Sequence, residues 1–158
     1  KKVFAVDVGY GQLDWKLQSD SRVVSLDRKN ARELNSSDIN ELVDLVVIDV
    51  SFISLKIIIP SAINVLKPVG DLIALVKPQF EVGKEKVENK GIIKDPKKHL
   101  GVLIELNSFM KKLGWPITEI ATSPITGQKG NREFLIHCLR KENSRIIEDD
   151  HIRNMINT

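Results

Sequence analysis

Short β-branched runs that each end in a charged residue, alternating with helical patterns, constrain this chain more than any other feature. Residues 3–6 run into Asp7, residues 22–26 into Asp27, residues 45–48 into Asp49 and residues 71–76 into Lys77. Runs this short and apolar read as strands, and 45–48 reads as a fully buried one. Between them lie a short helical pattern at 12–17 and a longer one at 54–67, closed by Pro68 and Gly70. Pro60 falls inside the longer pattern and predicts a first-turn position or a kink. The clearest helix is 96–113, with Asp95 as N-cap, Pro96 in the first turn and Gly114 as the stop. Two last strands, 115–122 and 133–139, follow one another across a polar loop, which predicts an antiparallel hairpin at the sheet edge. Alternating strands and helices predict an α/β fold with a mostly parallel sheet and helices on both faces. Residues 142–158 are charged, with a weak helical pattern at 146–156, and read as a C-terminal tail or docking helix.

The chain has 158 residues, the size of one ordinary domain. At 42% hydrophobic and 28% charged residues it has enough apolar material for one core and does not have a disordered composition. Its net charge of +3 permits a polyanionic partner without demanding one. The single cysteine, Cys138, excludes an intrachain disulfide and fits a reducing compartment. No apolar stretch approaches the ~20 residues that span a bilayer, and residues 1–7 have no apolar core of a signal peptide. The expected location is the cytoplasm, with no membrane partner.

In open α/β sheets ligands bind at the carboxyl ends of the strands, so Asp7, Asp27, Asp49 and Lys77 are candidates to share one rim. Each alone could be a turn or cap residue. The segment Asp7-Val8-Gly9-Tyr10-Gly11-Gln12, with Asp27 about twenty residues on, reads either as a nucleotide-binding loop or as a glycine turn. Asp49 and Lys77 end neighbouring strands. Such a pair can orient and help deprotonate a weakly acidic hydroxyl, or it can be a structural ion pair. Glu133 opens the last strand and either reaches the same site or is a solvated end residue. Lys84, Lys86, Lys90, Lys94, Lys97 and Lys98 crowd the loop after Lys77, which is solvated surface or a phosphate track. His99, His137 and His151 lack metal-ligand spacing and read as surface or strand residues, so no metal is expected. Cys138 reads as core, and Trp15 and Trp115 as packing groups.

Taken together, several segments resemble the TlyA/hemolysin A-like family, whose catalytic domain is similar to FtsJ-type RNA 2′-O-ribose methyltransferases. The resemblance is carried by Val6-Asp7-Val8-Gly9-Tyr10-Gly11-Gln12-Leu13, Asn30-Ala31-Arg32, Asp44-Leu45-Val46-Val47-Ile48-Asp49-Val50-Ser51-Phe52-Ile53-Ser54, Leu75-Val76-Lys77-Pro78-Gln79-Phe80-Glu81, Ser123-Pro124-Ile125-Thr126-Gly127 and Gly130-Asn131-Arg132-Glu133-Phe134-Leu135. It implies a Rossmann-like S-adenosylmethionine methyltransferase sheet with an antiparallel last strand. In the family the Asp7 segment follows the second strand, so residues 1–141 would form the methyltransferase domain without its first strand and cofactor loop, and 142–158 the tail. Asp7 to Asp49 spans only about forty residues, one strand–helix unit short of a full cofactor-binding half.

The same resemblance implies an enzyme that transfers the methyl group of S-adenosylmethionine to ribosomal RNA, at a cytidine ribose. Asp49, Lys77 and Glu133 match the last three members of a Lys-Asp-Lys-Glu tetrad. The first lysine and an S4-type RNA-binding domain would lie upstream. Asp7, Val8, Asn30, Ala31 and Asp49 are implied as cofactor-binding residues, with ribosomal RNA or a ribosomal subunit as partner and Lys84, Lys86 and Arg132 as RNA contacts. Three other readings stand beside this one. They are a non-catalytic RNA-binding or ribosome-associated module of the same fold, a haemolysin-like membrane-active protein, and a dinucleotide oxidoreductase. The last lacks a complete Gly-x-Gly-x-x-Gly loop.

Overall fold

The computed structural model describes residues 1–83, 91–140 and 145–157. It divides into two compact units, one of residues 1–42 with 58–65, the other of residues 43–57 with 66–158.

In the first unit, β1 (Val3–Val6) pairs in parallel with β2 (Val23–Leu26), Val6 opposite Leu26. The crossover contains α1 (Trp15–Gln18), a single turn whose N-cap Asp14 accepts from the Lys16 N–H. None of its residues is buried, so Trp15 stands 71% exposed instead of packing in a core. A 3-10 turn at Ala31–Glu33 and the short helix α2 (Ser36–Ile39) follow. The latter is held by a reciprocal capping box of Asn35 and Asp38. Leu34, Ile39, Ile58, Ile59, Ala62 and Val65 are the unit's buried apolar groups.

The second unit is built on a four-stranded sheet in the order β3-β4-β6-β5, formed by β3 (Val43–Ile48), β4 (Leu66–Val76), β5 (Ile117–Thr122) and β6 (Phe134–Leu139). β3 and β4 are parallel, and β6 runs antiparallel to both β4 and β5. β6, the last strand, is therefore the one reversed strand, inserted between β4 and β5. The expected hairpin is present, with β5 outermost. The strands thus fall into two sheets, Asp7 and Asp27 following the strands of one and Asp49 and Lys77 following strands of the other. β3 is not fully buried as its composition suggested. Among the described residues it pairs with β4 alone, and Leu45 and Val47 are exposed while Ile48 is buried.

α3 (Leu55–Asn64) holds Pro60 within it and stops three residues short of the predicted end. Val65 and Leu66 are buried, and Leu66 already pairs with Val43 as the start of an 11-residue β4. The register then jumps from Val43–Leu66 to Leu45–Asp71, so Pro68 and Gly70 mark a bulge rather than a helix stop. A Cβ on Gly70 would lie 2.9 Å from the Asp44 carbonyl oxygen and 2.6 Å from Leu66 Cδ1.

α5 (Pro96–Lys112) has the expected cap, with Asp95 accepting from the Lys97 N–H, and Gly114 follows at φ 72°. Its buried Val102, Leu103, Leu106 and Met110 join Leu72, Ala74, Val76, Phe134, Ile136 and Cys138 in the core. Trp115 is buried as expected. Burial also pushes the Cys138 thiol up to about 12. His99 is neither a surface nor a strand residue. It is buried in α5, with Nε2 3.0 Å from the Ile93 carbonyl and its ring edge-on to Phe134. α6 (Asp149–Asn157) docks on α5, where Asn107 Nδ2 donates to the Ile147 carbonyl and to Asp149.

Gly70→Ala should cost about 1–3 kcal/mol, because β4 cannot close on Asp44 with a Cβ in the way. Gly101→Ala, in α5 with open space around the position, should stabilise by up to about 1 kcal/mol. Urea denaturation of both variants checks the contrast, and effects of the same sign would refute the bulge.

Candidate active site

Parallel pairing of β3 and β4 puts their carboxyl ends side by side, and the chain turns polar at that rim. Asp49 follows β3. Lys77 follows β4 and serves as N-cap to α4 (Pro78–Glu81), whose Pro78 presets the first helical φ. Lys77 Nζ lies 2.7 Å from Asp49 Oδ1 and donates to Ser51 Oγ at 3.1 Å. The lysine side chain is only 14% exposed, whereas that of Asp49 is 65% exposed. An ammonium group is thus largely withdrawn from water, with its carboxylate partner facing solvent. Within the loop, Phe52 adopts φ 64° and its ring meets Phe80 of α4 at 4.9 Å.

Because β6 is reversed, its first residues come to the rim where β4 ends, Phe134 opposite Val76. Glu133 immediately precedes β6 and is buried. Its carboxylate rests on Gly127, where a Cβ would collide with Oε1. The turn beneath is fixed by Asn131, whose side chain accepts from the Ile93 N–H and donates to the Gly91 and Gln128 carbonyls. Among the described residues Lys77 pairs with Asp49 and not with Glu133. Arg132 donates to Thr122 Oγ1 and its guanidinium lies over the Phe134 ring. Lys84 and Lys86 lie outside the described residues.

The first unit carries the other candidates. At the end of β1, Asp7 Oδ1 accepts from the Gly9 N–H at 2.7 Å, and the carboxylate is exposed. Val8 and Tyr10 are also exposed, and the Arg28 guanidinium covers the Tyr10 ring. Gly9 leaves room for the Asp7 carboxylate and the Gln12 side chain, and Gly11 sits at φ 64°. Asn30 Oδ1 accepts from the Arg32 N–H, and the Ala31 carbonyl accepts from Ser61 Oγ at 2.6 Å.

Sequence reasoning assigned no role to Ser51, Gly127 or Asn131. The position of Ser51, two residues past a strand-end acid, was the available signal for it. Gly127 and Asn131 act through the turn that seats Glu133, which the local sequence does not reveal. Among the described residues no helix is long and apolar enough to cross a membrane.

A mostly parallel α/β sheet with one reversed strand, bearing an acid–lysine pair at its carboxyl rim, defines a Rossmann-like methyltransferase fold. A family model described as FtsJ-like methyltransferase matches residues 1–140, and the chain belongs to that family. It is 49% identical over 138 residues to YqxC of Bacillus subtilis (strain 168), covering 87% of this chain and 49% of that one. It is 42% identical over 145 residues to the 16S/23S rRNA (cytidine-2′-O)-methyltransferase TlyA of Mycobacterium tuberculosis (strain ATCC 25618 / H37Rv), covering 92% of this chain and 54% of TlyA. A solved structure of a Streptococcus thermophilus protein described as a hemolysin superposes with a TM-score of 0.92 at 39% identity, over 99% of this chain and 57% of that one. The chain thus spans about half the length of the curated relatives it matches.

Gly127 has φ −73°, ordinary for any residue, so the obstacle to a side chain there is the Glu133 carboxylate. Gly127→Ala should cost about 1–3 kcal/mol in the wild-type background. In a Glu133→Ala background the penalty should largely vanish, giving a coupling of at least about 1 kcal/mol by denaturant titration. Additive effects would mean that Glu133 is not seated on Gly127.

Proposed function

We propose that this chain is the catalytic part of an S-adenosylmethionine-dependent 2′-O-ribose methyltransferase acting on ribosomal RNA, with a cytidine as the target nucleoside. The observation that carries this reading is the Lys77–Asp49 pair, a largely buried ammonium bonded to a strand-end carboxylate at 2.7 Å. A ribose 2′-hydroxyl is a weak nucleophile, and a fixed cation beside it favours the charge that develops on oxygen. The name of the TlyA relative supports the RNA and cytidine parts, and the family match supports methyl transfer.

The residues of the first unit suit the adenosine half of S-adenosylmethionine. Gly9 occupies Asp7 Oδ1, leaving Oδ2 to accept from a vicinal diol. Asn30 uses Oδ1 on Arg32 and has its amide N–H groups to offer an adenine, with Ala31 next to it and Val8 next to Asp7 along the chain. Asp49 is assigned to the methionine end. S-adenosylmethionine would supply an electrophilic sulfonium methyl. Lys77 would orient the 2′-hydroxyl and stabilise its oxygen as the O–CH3 bond forms and the S–CH3 bond breaks to leave a neutral thioether, the hydroxyl proton passing to solvent. Asp49 and Ser51 hold the lysine head in one direction, so that its remaining N–H points at the hydroxyl instead of sampling rotamers. Glu133, held by Gly127, contributes fixed negative charge at the same rim. Most of the acceleration comes from holding the two reactants in line. Lys84, Lys86 and Arg132 are assigned to the RNA backbone, and a cytoplasmic location follows from the ribosomal substrate.

Incubating the full-length protein with methyl-labelled S-adenosylmethionine and ribosomal subunits, followed by nuclease digestion, should yield label on a ribose. Lys77→Ala should lower the rate by about 100-fold or more. Binding of subunits without transfer, and without calorimetric binding of the cofactor, would instead identify a non-catalytic RNA-binding module. Leakage of liposomes would identify a membrane-active protein.

A further inference from the structure

Two loops carry the acid–lysine pair, and something must keep them in register beyond the ends of their strands. Residues 49–54 join β3 to α3, and α4 follows directly from Lys77. Three contacts connect these segments in the same chain order. Lys77 meets Asp49 and Ser51, Phe80 meets Phe52, and Glu81 meets Ser54 and Leu55. The last is the most specific. Glu81 accepts from Ser54 Oγ at 2.6 Å through Oε2 and from the Leu55 N–H at 2.7 Å through Oε1.

Leu55 opens α3 and is 1% exposed, so its N–H has neither an intrahelical partner nor water. Glu81 reaches across from another element to satisfy it and places negative charge at the positive end of the helix. Ser54 closes the arrangement, accepting from the Lys56 N–H with the oxygen whose hydroxyl Glu81 holds. Between Lys77 and Glu81 runs a single turn of helix, closed by the Phe80 N–H to the Lys77 carbonyl and the Val82 N–H to the Pro78 carbonyl. That turn is a short, stiff spacer. With one end of the 49–54 loop fixed in β3 and the other pinned by Glu81, the position of Asp49 and Ser51 relative to Lys77 is set at both ends.

We propose that Glu81 is a positioning residue for the transfer reaction, stitching the loop that carries Asp49 and Ser51 to the turn that carries Lys77. This rests on the methyltransferase reading above. Glu81 touches neither reactant. Its contribution is the geometry of the pair, so its loss should appear in kcat and not in the KM for RNA.

The test uses the full-length protein, three substitutions of Glu81 and Lys77→Ala. Glu81→Ala should lower kcat roughly 10- to 100-fold, the scale expected when a reacting group is displaced by about an ångström, with the KM for RNA within about twofold of wild type. Glu81→Gln should restore most of the rate, since its carbonyl can accept from Leu55 and its amide can donate to Ser54 Oγ. Amide hydrogen exchange should accelerate across residues 49–55 in Glu81→Ala while β5 and β6 remain protected. If Glu81→Ala fails to fold, Glu81→Asp keeps the charge and loses the reach, and the same drop in kcat is expected. A variant with lowered thermal stability but wild-type kcat would overturn the positioning role. Should that occur while Lys77→Ala abolishes transfer, the function stands and only the role of Glu81 falls. If Lys77→Ala transfers methyl groups as well as wild type, the reading beneath it falls as well.

Discussion

The contact between Lys77 and Asp49 is the interaction on which the rest of this site depends. It is not a source of stability. Asp49 is 65% exposed, and an ion pair with one partner this wet contributes about 0–1 kcal/mol. Its geometry comes from elsewhere. The parallel ladder of β3 on β4 sets Ile48 opposite Ala74, and the core beneath β4 buries Leu72, Ala74 and Val76 completely. Packing energy fixes the strand ends, and the strand ends present the pair.

Two further constraints refine that presentation. The reversal of β6 brings Glu133 to the rim where β4 ends, and a glycine beneath it lets the carboxylate sit down. On the other side, α4 and Glu81 tie the loop after β3 to the turn after β4. Each is a backbone arrangement first and a side-chain arrangement second. The bulge at Gly70 belongs to the same logic, because it lets one long strand serve both the Val43 pairing and the Leu45–Ile48 ladder.

The strand-end residues were legible in the sequence because short β-branched runs stop abruptly at Asp7, Asp27, Asp49 and Lys77. The long helix α5 was legible from Asp95, Pro96 and Gly114. The upstream half of β4 was not, since Pro68 and Gly70 stop a helix and interrupt a strand equally well, and only pairing with β3 distinguishes the two. Trp15 and His99 were misread for a related reason. Burial depends on what packs against a residue, and α1 packs against little while α5 lies in the core. Ser51, Glu81 and Gly127 act through partners 26, 26 to 27 and 6 residues away along the chain, separations that local patterns do not encode.

The most direct measurement is a kinetic double-mutant cycle on Asp49 and Lys77, with single-turnover methyl transfer from the full-length protein on ribosomal subunits. If the two side chains form one working unit, Asp49→Ala and Lys77→Ala together should be no slower than the worse single variant, within about threefold. Losses that multiply would show that the acid and the lysine act separately, and would contradict the pair as the centre of the site.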